Sequence, residues 1–349
     1  MQITEQFIKL DTPSTSLVFR RYSELLEIVY YGAKIGDAAD YDILSSHKRK
    51  YAHSCADDVI TANMTFSCYG MGCDRVFSLS LKNHDGGYAN KFLFRGARAA
   101  EKPIIPGLPS SYGARETLML VYYDEDYDLE LRQYYSVFED TDAIAVSSAI
   151  ENRSAHDAVL RSFASCQLDT DGCGYTVFSY TGAWARERYP SVTQLSVGTF
   201  EQGTSRGSSS HAVNPFLMLR RPARMGGYLA FNLVYSGDHR ERVECTPMHT
   251  TRITVGMDDA FLEHPLPSGS VFHSPEAVML FGEHRADISL QMHRFVNGHI
   301  VPPCFLRERP VAVNLWEACG YRFDRGKVLE FADRAAEIGA ELLGVDDGW

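Results

Sequence analysis

Leu129-Glu130-Leu131-Arg132-Gln133-Tyr134-Tyr135-Ser136-Val137 is the stretch that decides the fold class. Its side chains alternate so that one face is mostly apolar and the other mostly polar, which is typical of a half-buried β-strand. An acidic turn at residues 139–142 separates it from a second run at 144–150, which carries Ile144, Val146 and Ile150 on one face. Two such runs joined by a turn predict neighbouring antiparallel strands.

The same pattern extends over the first 285 residues. Further strand-like runs lie at residues 26–31, 117–123, 228–235 and 251–255, and clusters of Gly, Asp, Asn or Pro usually bound them. Hardly any segment of this region has helical periodicity. The sequence therefore predicts an antiparallel β-sandwich over residues 1–285.

The pattern changes after residue 285. Residues 286–309 read as a connector, with a short helix at 289–296 and a Pro-rich piece at 301–304. Residues 310–349 then read as strand–helix–strand: a strand at 311–315, a helix with Asp324 as its N-cap and Gly339 at its end, and a strand at 341–345. This is the repeating unit of a parallel sheet. Because a (β/α)₈ barrel needs about 250 residues, we expect only its beginning here, in a chain that ends inside a domain.

Composition and charge exclude several classes of partner. The 349 residues include 34 basic and 45 acidic side chains, giving a net charge of −11, which disfavours nucleic acid and anionic membranes. No secretory leader and no membrane-spanning apolar run is visible. The eight cysteines include no C-x-x-C pair, so we expect free thiols in a cytoplasmic protein.

Two polar motifs follow the predicted parallel strands. Asp346-Asp347-Gly348-Trp349 follows the second strand, and Asn314-Leu315-Trp316 ends the first. In barrel enzymes the carboxyl ends of the strands build the active site, so these carboxylates and rings are candidate ligand-binding groups. The alternatives are a plain acidic turn that caps the next helix and a Trp316 packed under its loop.

Two loops of the sandwich are also candidates. Trp184 is flanked by Arg186, Glu187 and Arg188, which could form a platform with charged arms or could simply anchor a surface loop. The Ser/His-rich stretch 205–216 has no nucleophile elbow and reads better as a loop bonding its own backbone. The twelve histidines show no metal-ligand spacing and no phosphate-binding glycine loop is present, so no metal and no cofactor are predicted.

Taken together, these stretches resemble the α-galactosidases of glycoside hydrolase family 36. The resemblance rests on residues 182–188, 205–216, 234–237, 274–279, 307–310, 314–318 and 345–349. It implies a mainly β chain in which an N-terminal β-supersandwich precedes the first strand–helix–strand of a (β/α)₈ barrel. It implies hydrolysis of terminal α-D-galactosyl residues from melibiose- or raffinose-type sugars by a retaining mechanism.

The resemblance also implies residue roles. Asp346 and Asp347 match the pair that holds galactose hydroxyls, and Trp316 matches the aromatic wall beside the sugar. Trp184 matches a sandwich tryptophan that contributes to the substrate site, in tetrameric members that of a neighbouring subunit. Both catalytic aspartates of the family lie on later barrel strands, so no catalytic residue is assigned and the chain alone is expected to be inactive.

The expected partner is a galactoside, and a homo-oligomer is possible in the full-length protein. Residues 46–51, however, lack an aspartate that some tetrameric members insert into a neighbour's site.

Three alternatives to an α-galactosidase stay open. The sandwich could instead be a non-catalytic module that binds carbohydrate or mediates assembly. The same family also allows release of N-acetylgalactosamine or galactosyl transfer, and the sequence does not separate these reactions.

Overall fold

A computed structural model describes residues 1–37, 41–45, 62–209, 211–306 and 308–348. Residues 46–51, Cys55, Arg307 and Trp349, on which parts of the sequence analysis rest, lie outside the described residues. The chain divides into two compact units, Met1–Ile300 and Val301–Trp349.

The chain is built mainly from strands. In chain order they are β1 (Gln2–Ile3), β2 (Phe7–Asp11), β3 (Thr15–Tyr22), β4 (Leu25–Ala33), β5 (Leu79–Lys82), β6 (Leu93–Ala100), β7 (Glu116–Asp124), β8 (Leu129–Val137), β9 (Ile144–Asn152), β10 (Ala158–Asp171), β11 (Thr176–Ala183), β12 (Arg186–Gln194), β13 (Gly198–Thr204), β14 (Val213–Arg220), β15 (Tyr228–Val234), β16 (His239–Cys245), β17 (Thr250–Met257), β18 (His264–Leu266), β19 (Val271–His273), β20 (Glu276–Gly282), β21 (Ala312–Asn314) and β22 (Leu342–Gly344).

Helical segments are few. The α-helices are α1 (Arg285–Phe295), α2 (Trp316–Cys319) and α3 (Arg325–Glu337), with short 3₁₀ turns at Tyr41–Ser45 and Pro303–Phe305 and a π-helical turn at Val296–Ile300. Within the described ranges, no helix is long and apolar enough to cross a membrane.

The first unit is an antiparallel sandwich of three sheets, as predicted. One sheet has the order β1-β2-β3-β4, and a second has the order β13-β16-β17-β10-β18 with β5 also on β10. The largest has the order β12-β11-β14-β15-β20-β9-β8-β7-β6, with β19 paired to β9. Apolar side chains from all three sheets meet in one core, for example those of Phe19, Leu131 and Ile253.

Strands β8 and β9 confirm the prediction from residues 129–150, with Leu131 opposite Ile150 in an antiparallel register. The half-buried pattern predicted for residues 129–137 holds only for the first part of β8, because residues 133–137 are buried on both faces, as is most of β9. Ile144 and Val146 face the main core, whereas Ala145 joins a second cluster beneath α1. Farther along the same face, Ala149 lies in a third cluster with Met119 and Tyr134, so side chains of the sheet itself also bury this face.

Helix α1 belongs to the sandwich unit. Its Ile288 and Phe295 are buried against Val278 and Leu280 of β20. The first compact unit therefore runs to Ile300, whereas the sequence suggested a sandwich that ends at residue 285 and a connector over 286–309.

The expectation of free thiols is corrected at one pair. Cys173 and Cys245 form a disulfide that joins the chain before β11 to the end of β16. Among the described cysteines, five are free thiols: Cys68, Cys73, Cys166, Cys304 and Cys319. Pairing across a separation of 72 residues depends on sheet register, which cysteine spacing does not reveal.

A buried ion cluster joins two neighbouring strands of one sheet to the segment that precedes β5. Asp169 of β10 is fully buried and lies 2.7 Å from Arg252 of β17 and 3.0 Å from Arg75. It also accepts a hydrogen bond of 2.9 Å from the backbone N–H of Met64. Burial acts to raise the pKa of Asp169, but Arg252 and Arg75 outweigh it and the pKa lies below its ordinary value.

The second unit is the predicted strand–helix–strand. β21 and β22 pair in parallel, with Asn314 opposite Gly344, and α3 connects them. Asp324 caps α3 by accepting a hydrogen bond of 2.9 Å from the Lys327 N–H, and Gly339 follows with a φ of 83°. The N-cap and the glycine at the helix end are both confirmed.

Candidate functional site

The parallel pair of the second unit brings two polar segments to one edge. Because parallel strands present their carboxyl ends on the same side, the residues after β21 and β22 become neighbours. Trp316 follows β21 after one residue, and Asp346 and Asp347 follow β22. This edge, with Asn314, Trp316, Tyr321, Asp346 and Asp347, is called the strand-end cluster.

Asn314 connects both halves of the strand-end cluster. Its amide nitrogen donates a hydrogen bond of 2.7 Å to Asp346, and its amide oxygen accepts one of 2.8 Å from the backbone N–H of Trp316. A single side chain thus orients the carboxylate and fixes the start of the turn that carries the indole ring.

Asp346 is fixed as an ionised acceptor. The hydrogen bond from Asn314, followed by one of 2.9 Å from the backbone N–H of Asp347, lowers the pKa of Asp346 below its ordinary value. Both Asp346 and Asp347 are exposed. At neutral pH, Asp346 can accept hydrogen bonds from a ligand's hydroxyls but is poorly suited to donate a proton.

Aromatic side chains form the other wall of the strand-end cluster. Trp316 is half-buried and meets Tyr321 edge to face, with ring centroids 5.0 Å apart. Gly348 lies beneath Tyr321, and a Cβ at residue 348 would come within 2.8 Å of the Tyr321 ring. An apolar ring beside exposed carboxylates suits a ligand with one apolar face and several hydroxyls.

Trp184 lies in the first unit, at the tip of the β11–β12 hairpin. Ala183 pairs with Arg186, so residues 184 and 185 form a two-residue turn, and Ala185 has a φ of 57°. The Trp184 side chain is 80% exposed. It therefore anchors nothing within the described part of the chain, which disfavours the loop-anchor alternative.

The charged neighbours of Trp184 mostly support the hairpin itself. Glu187 accepts a hydrogen bond of 3.1 Å from the Ala185 N–H, and the Arg188 guanidinium lies 5.2 Å from the centre of the Tyr180 ring. A Cβ at residue 182 would come within 2.4 Å of the Arg186 carbonyl oxygen, so Gly182 lets the two strands approach closely. These contacts hold Trp184 out from the sheet.

The Ser/His-rich loop, in its residues other than 210, carries no assembled catalytic group. Its Gly207 N–H donates a hydrogen bond of 2.7 Å to Asp238, and the Ser209 N–H bonds the Ser236 carbonyl at 2.8 Å. His211 is exposed. In the ranges described, no group of three or more His, Cys, Asp or Glu side chains is placed to hold a metal ion.

The structure thus brings together three of the four predicted site residues, Trp316, Asp346 and Asp347, and places Trp184 in the other unit. Sequence reasoning did not identify Asn314 and Tyr321 as members of the site. The available signal for Asn314 was its position at the carboxyl end of a strand parallel to the one before Asp346.

Comparison with known proteins gives matches along nearly the whole chain. Residues 24–267 match the family described as the glycosyl hydrolase family 36 N-terminal domain, and residues 271–349 match the family described as melibiase. A probable alpha-galactosidase C from Aspergillus terreus is 31% identical over 293 residues, which is 81% of this chain and 39% of that protein.

Solved structures share the fold. The alpha-galactosidase from Lactobacillus brevis superposes with a TM-score of 0.94 at 28% identity, over 100% of this chain and 50% of that one. A variant of alpha-galactosidase AgaA from Geobacillus stearothermophilus, in complex with raffinose, has a TM-score of 0.92 at 25% identity, over 99% and 50% of the two chains. The chain thus spans half of these two structures and 39% of the Aspergillus relative.

Proposed function

This chain belongs to glycosyl hydrolase family 36, and from that premise we propose that it forms part of an α-galactosidase. The substrates are terminal, non-reducing α-D-galactosyl residues of the raffinose type. The support is the naming of the matched relatives as alpha-galactosidases and the presence of raffinose in one structurally similar enzyme.

The observation that carries the proposal is the strand-end cluster. Asp346 is held in its ionised form by Asn314, beside the indole ring of Trp316 and next to the exposed Asp347. The carboxylates would accept hydrogen bonds from galactose hydroxyls while the ring packs against the apolar face of the sugar. Trp184 is not part of this cluster and remains a predicted ligand-binding residue of the sandwich unit.

Bond cleavage needs two further groups. A retaining glycosidase uses two carboxyl groups about 5–5.5 Å apart: one attacks the anomeric carbon as the leaving oxygen is protonated by the other. The second group then takes a proton from water, which displaces the enzyme carboxylate. We place both catalytic groups in the part of the relatives that this chain does not span, and Asp346 and Asp347 act in binding.

Hydrolysis of p-nitrophenyl α-D-galactoside by the whole gene product, beside the 349-residue chain, tests the proposal. We expect activity in the whole product and none in the 349-residue chain. Replacing Asp347 with Ala should lower kcat/KM by about 10–100-fold, because hydrogen bonds to a charged group contribute about 1.5–3 kcal/mol each. Asp333→Ala, at an exposed position of α3, is the matched control and should change little.

Each other outcome has a definite meaning. Activity in the 349-residue chain would show that the catalytic carboxylates lie within these residues, contrary to the proposal. A preference for the α-N-acetylgalactosaminide would favour release of N-acetylgalactosamine, another reaction of the same family. Inactivity of the whole gene product on both substrates would contradict the proposal and favour a non-catalytic module.

A further inference from the structure

The sandwich unit ends in an unusual helical turn. Helix α1 continues directly into the π-helical turn Val296–Ile300, which is the last element before the second unit begins at Val301. π-Helical turns are rare and are frequently found at functional positions. The buried residue of this turn is His299, so the contacts of its side chain indicate what the turn holds in place.

Both ring nitrogens of His299 face hydrogen-bond acceptors. Nδ1 lies 2.9 Å from the backbone carbonyl oxygen of Tyr112, and Nε2 lies 2.7 Å from Oδ1 of Asp140. A carbonyl oxygen cannot donate a hydrogen bond, and neither can an ionised carboxylate. Both hydrogen bonds therefore form only when each ring nitrogen carries a proton, which makes the ring a cation.

Asp140 is the ionised partner in this contact. The hydrogen bond from His299 is the main cause that lowers the pKa of Asp140 below its ordinary value, and Arg294 of α1 acts in the same direction. The neighbouring Glu139 lies 3.8 Å from Arg115, which counters its charge. Because an ionised Asp140 has no proton to donate, His299 supplies the proton of the hydrogen bond between them.

The ring of His299 is enclosed by aromatic side chains. Its centre lies 4.3 Å from that of Phe138 and 5.9 Å from that of Phe295, and His299 is buried. Loss of one ring proton would leave a nitrogen lone pair against an acceptor, where little water can replace the lost hydrogen bond. Deprotonation of the ring is therefore unfavourable in the folded chain.

The contacts of His299 join three segments that are far apart in the sequence. Tyr112 belongs to the loop between β6 and β7, Asp140 to the turn between β8 and β9, and His299 to the turn that follows α1. The backbone N–H of Tyr112 also donates a hydrogen bond of 2.9 Å to the His299 carbonyl oxygen, and this bond does not depend on the ring. Deprotonation would thus loosen the junction without separating its segments.

We propose that His299 is a pH-sensitive fastening of the sandwich unit, in which the doubly protonated ring holds the β6–β7 loop and the β8–β9 turn against the last turn of the unit. In an unfolded chain a histidine ring releases its second proton near pH 6.5. The stabilisation is therefore fully present below about pH 6.5 and is lost as the pH rises and the folded ring gives up one proton. The fastening shares no residue with the strand-end cluster or the Trp184 hairpin, so this inference does not depend on the proposed α-galactosidase activity.

NMR spectra that correlate the ring nitrogens and ring protons of histidine test the protonation state in the 349-residue chain. Comparison with the spectrum of His299→Gln identifies the signals of His299. We expect both of its ring nitrogens to carry protons at pH 7, at which a histidine in water is mostly neutral. A His299 ring with one unprotonated nitrogen at pH 7 would overturn the proposal.

Urea denaturation at pH 6 and pH 8 measures the contribution of the ring to folding. Between these values the equilibrium constant for unfolding should rise about three- to tenfold more in the unmodified chain than in His299→Gln, because a charge-assisted hydrogen bond to a partly exposed partner is lost. His293→Gln, at an exposed position of α1, is the matched control and should keep the pH dependence of the unmodified chain.

Asp140→Asn separates a protonation-dependent contact from a merely structural one. The amide that this change introduces can donate a hydrogen bond to Nε2 of a neutral ring, while Nδ1–H still donates to the Tyr112 carbonyl. The variant should therefore keep its stability at pH 8 and lose the additional pH dependence. Asp126→Asn, at an exposed position between β7 and β8, is the matched control and should retain that dependence.

Two stability results would contradict a pH-sensitive fastening. One is an equal pH dependence in the unmodified chain and His299→Gln, and the other is an undiminished pH dependence in Asp140→Asn. If His299→Gln does not fold, Asp140→Asn and the histidine spectra of the unmodified chain at several pH values still decide the outcome.

Discussion

Asp169 and Asp346 both have a lowered pKa, but the two regions that hold them differ in every other respect. Asp169 is fully buried in the sandwich between Arg252 and Arg75, whereas Asp346 is exposed after a strand of the second unit and is bonded by Asn314. The ionised carboxylate of Asp169 stabilises the fold through its buried ion pairs. The ionised carboxylate of Asp346 is exposed and can bind a ligand.

The same contrast holds for the two units as wholes. The sandwich buries apolar side chains from three sheets, while in the described part of the second unit Leu315 and Ala335 are the buried apolar residues. Ile338 and Leu342 of that unit remain 78% and 52% exposed. Removing the buried charge of Asp169 should therefore lower the free energy of unfolding. Removing an exposed charge of the strand-end cluster should instead weaken ligand binding.

The largest effect is expected from Asp169→Asn. This change removes the negative charge that Asp169 places between two buried guanidiniums, and breaking a buried ion pair from one side costs about 3–5 kcal/mol. We expect the free energy of unfolding, measured by urea denaturation, to fall by that amount or the chain to be insoluble.

Asp346→Asn is the matched change in the other unit. Because Asp346 is exposed, the free energy of unfolding should stay within about 0.5 kcal/mol of the unmodified value. Equal decreases in the free energy of unfolding for Asp169→Asn and Asp346→Asn would contradict this distinction between the two regions.

The next largest effect is expected from the disulfide. Replacing Cys173 with Ser together with Cys245 with Ala removes a bridge across 72 residues of the sandwich, which typically stabilises a fold by about 2–4 kcal/mol. We expect a lower thermal midpoint for the variant than for the oxidised chain. Mass spectrometry after alkylation without reductant would show whether the bridge forms, and two free thiols at these positions would contradict it.

Acid should weaken the sandwich through Asp169. Because its folded pKa is lowered, its contribution is fully present above the ordinary aspartate pKa of about 3.9 and is lost as the pH falls through the folded value. The difference in stability between the unmodified chain and Asp169→Asn should therefore shrink below about pH 4. Urea titrations at several pH values measure it, and a difference that grows in acid would have the wrong sign.

The smallest effect is expected from Asn314→Ala. Loss of its hydrogen bond should raise the pKa of Asp346 toward the ordinary value, and stability should change by no more than about 0.5 kcal/mol because the site is exposed. Carboxyl NMR shifts followed through a pH titration measure the pKa. An unchanged Asp346 pKa would show that Asn314 does not orient this carboxylate.

The sequence predicted strands well where apolar and polar residues alternate regularly. Residues 129–137 alternate clearly, and β8 has those bounds. Burial of β9 on both faces could not be read from the same pattern, because it depends on tertiary packing. Ala145 packs in the cluster that contains Ile288 and Phe295 of α1, more than 130 residues later in the chain, and Ala149 packs with Met119 and Tyr134 of other strands. The Cys173–Cys245 pair was missed for a related reason, since sheet register brings the two residues together.

The candidate site divides in the same way. Trp316 and Asp346 could be predicted because strand ends are recognisable in sequence. The role of Asn314 depends on its register opposite Gly344, which places its amide beside Asp346. The sequence therefore predicted which residues follow the ends of the two strands, but it did not predict which side chains form hydrogen bonds with each other.

Strand β12 forms one end of the largest sheet, and all of its residues are exposed. An open sheet end of this kind can recruit strands from other molecules and so seed aggregates. Pro190 in the middle of β12 has no N–H to offer an incoming strand, and Arg186, Glu187 and Arg188 at its start put charge along the same end. Pro190 and these charged side chains thus oppose the addition of strands from other molecules at this end of the sheet.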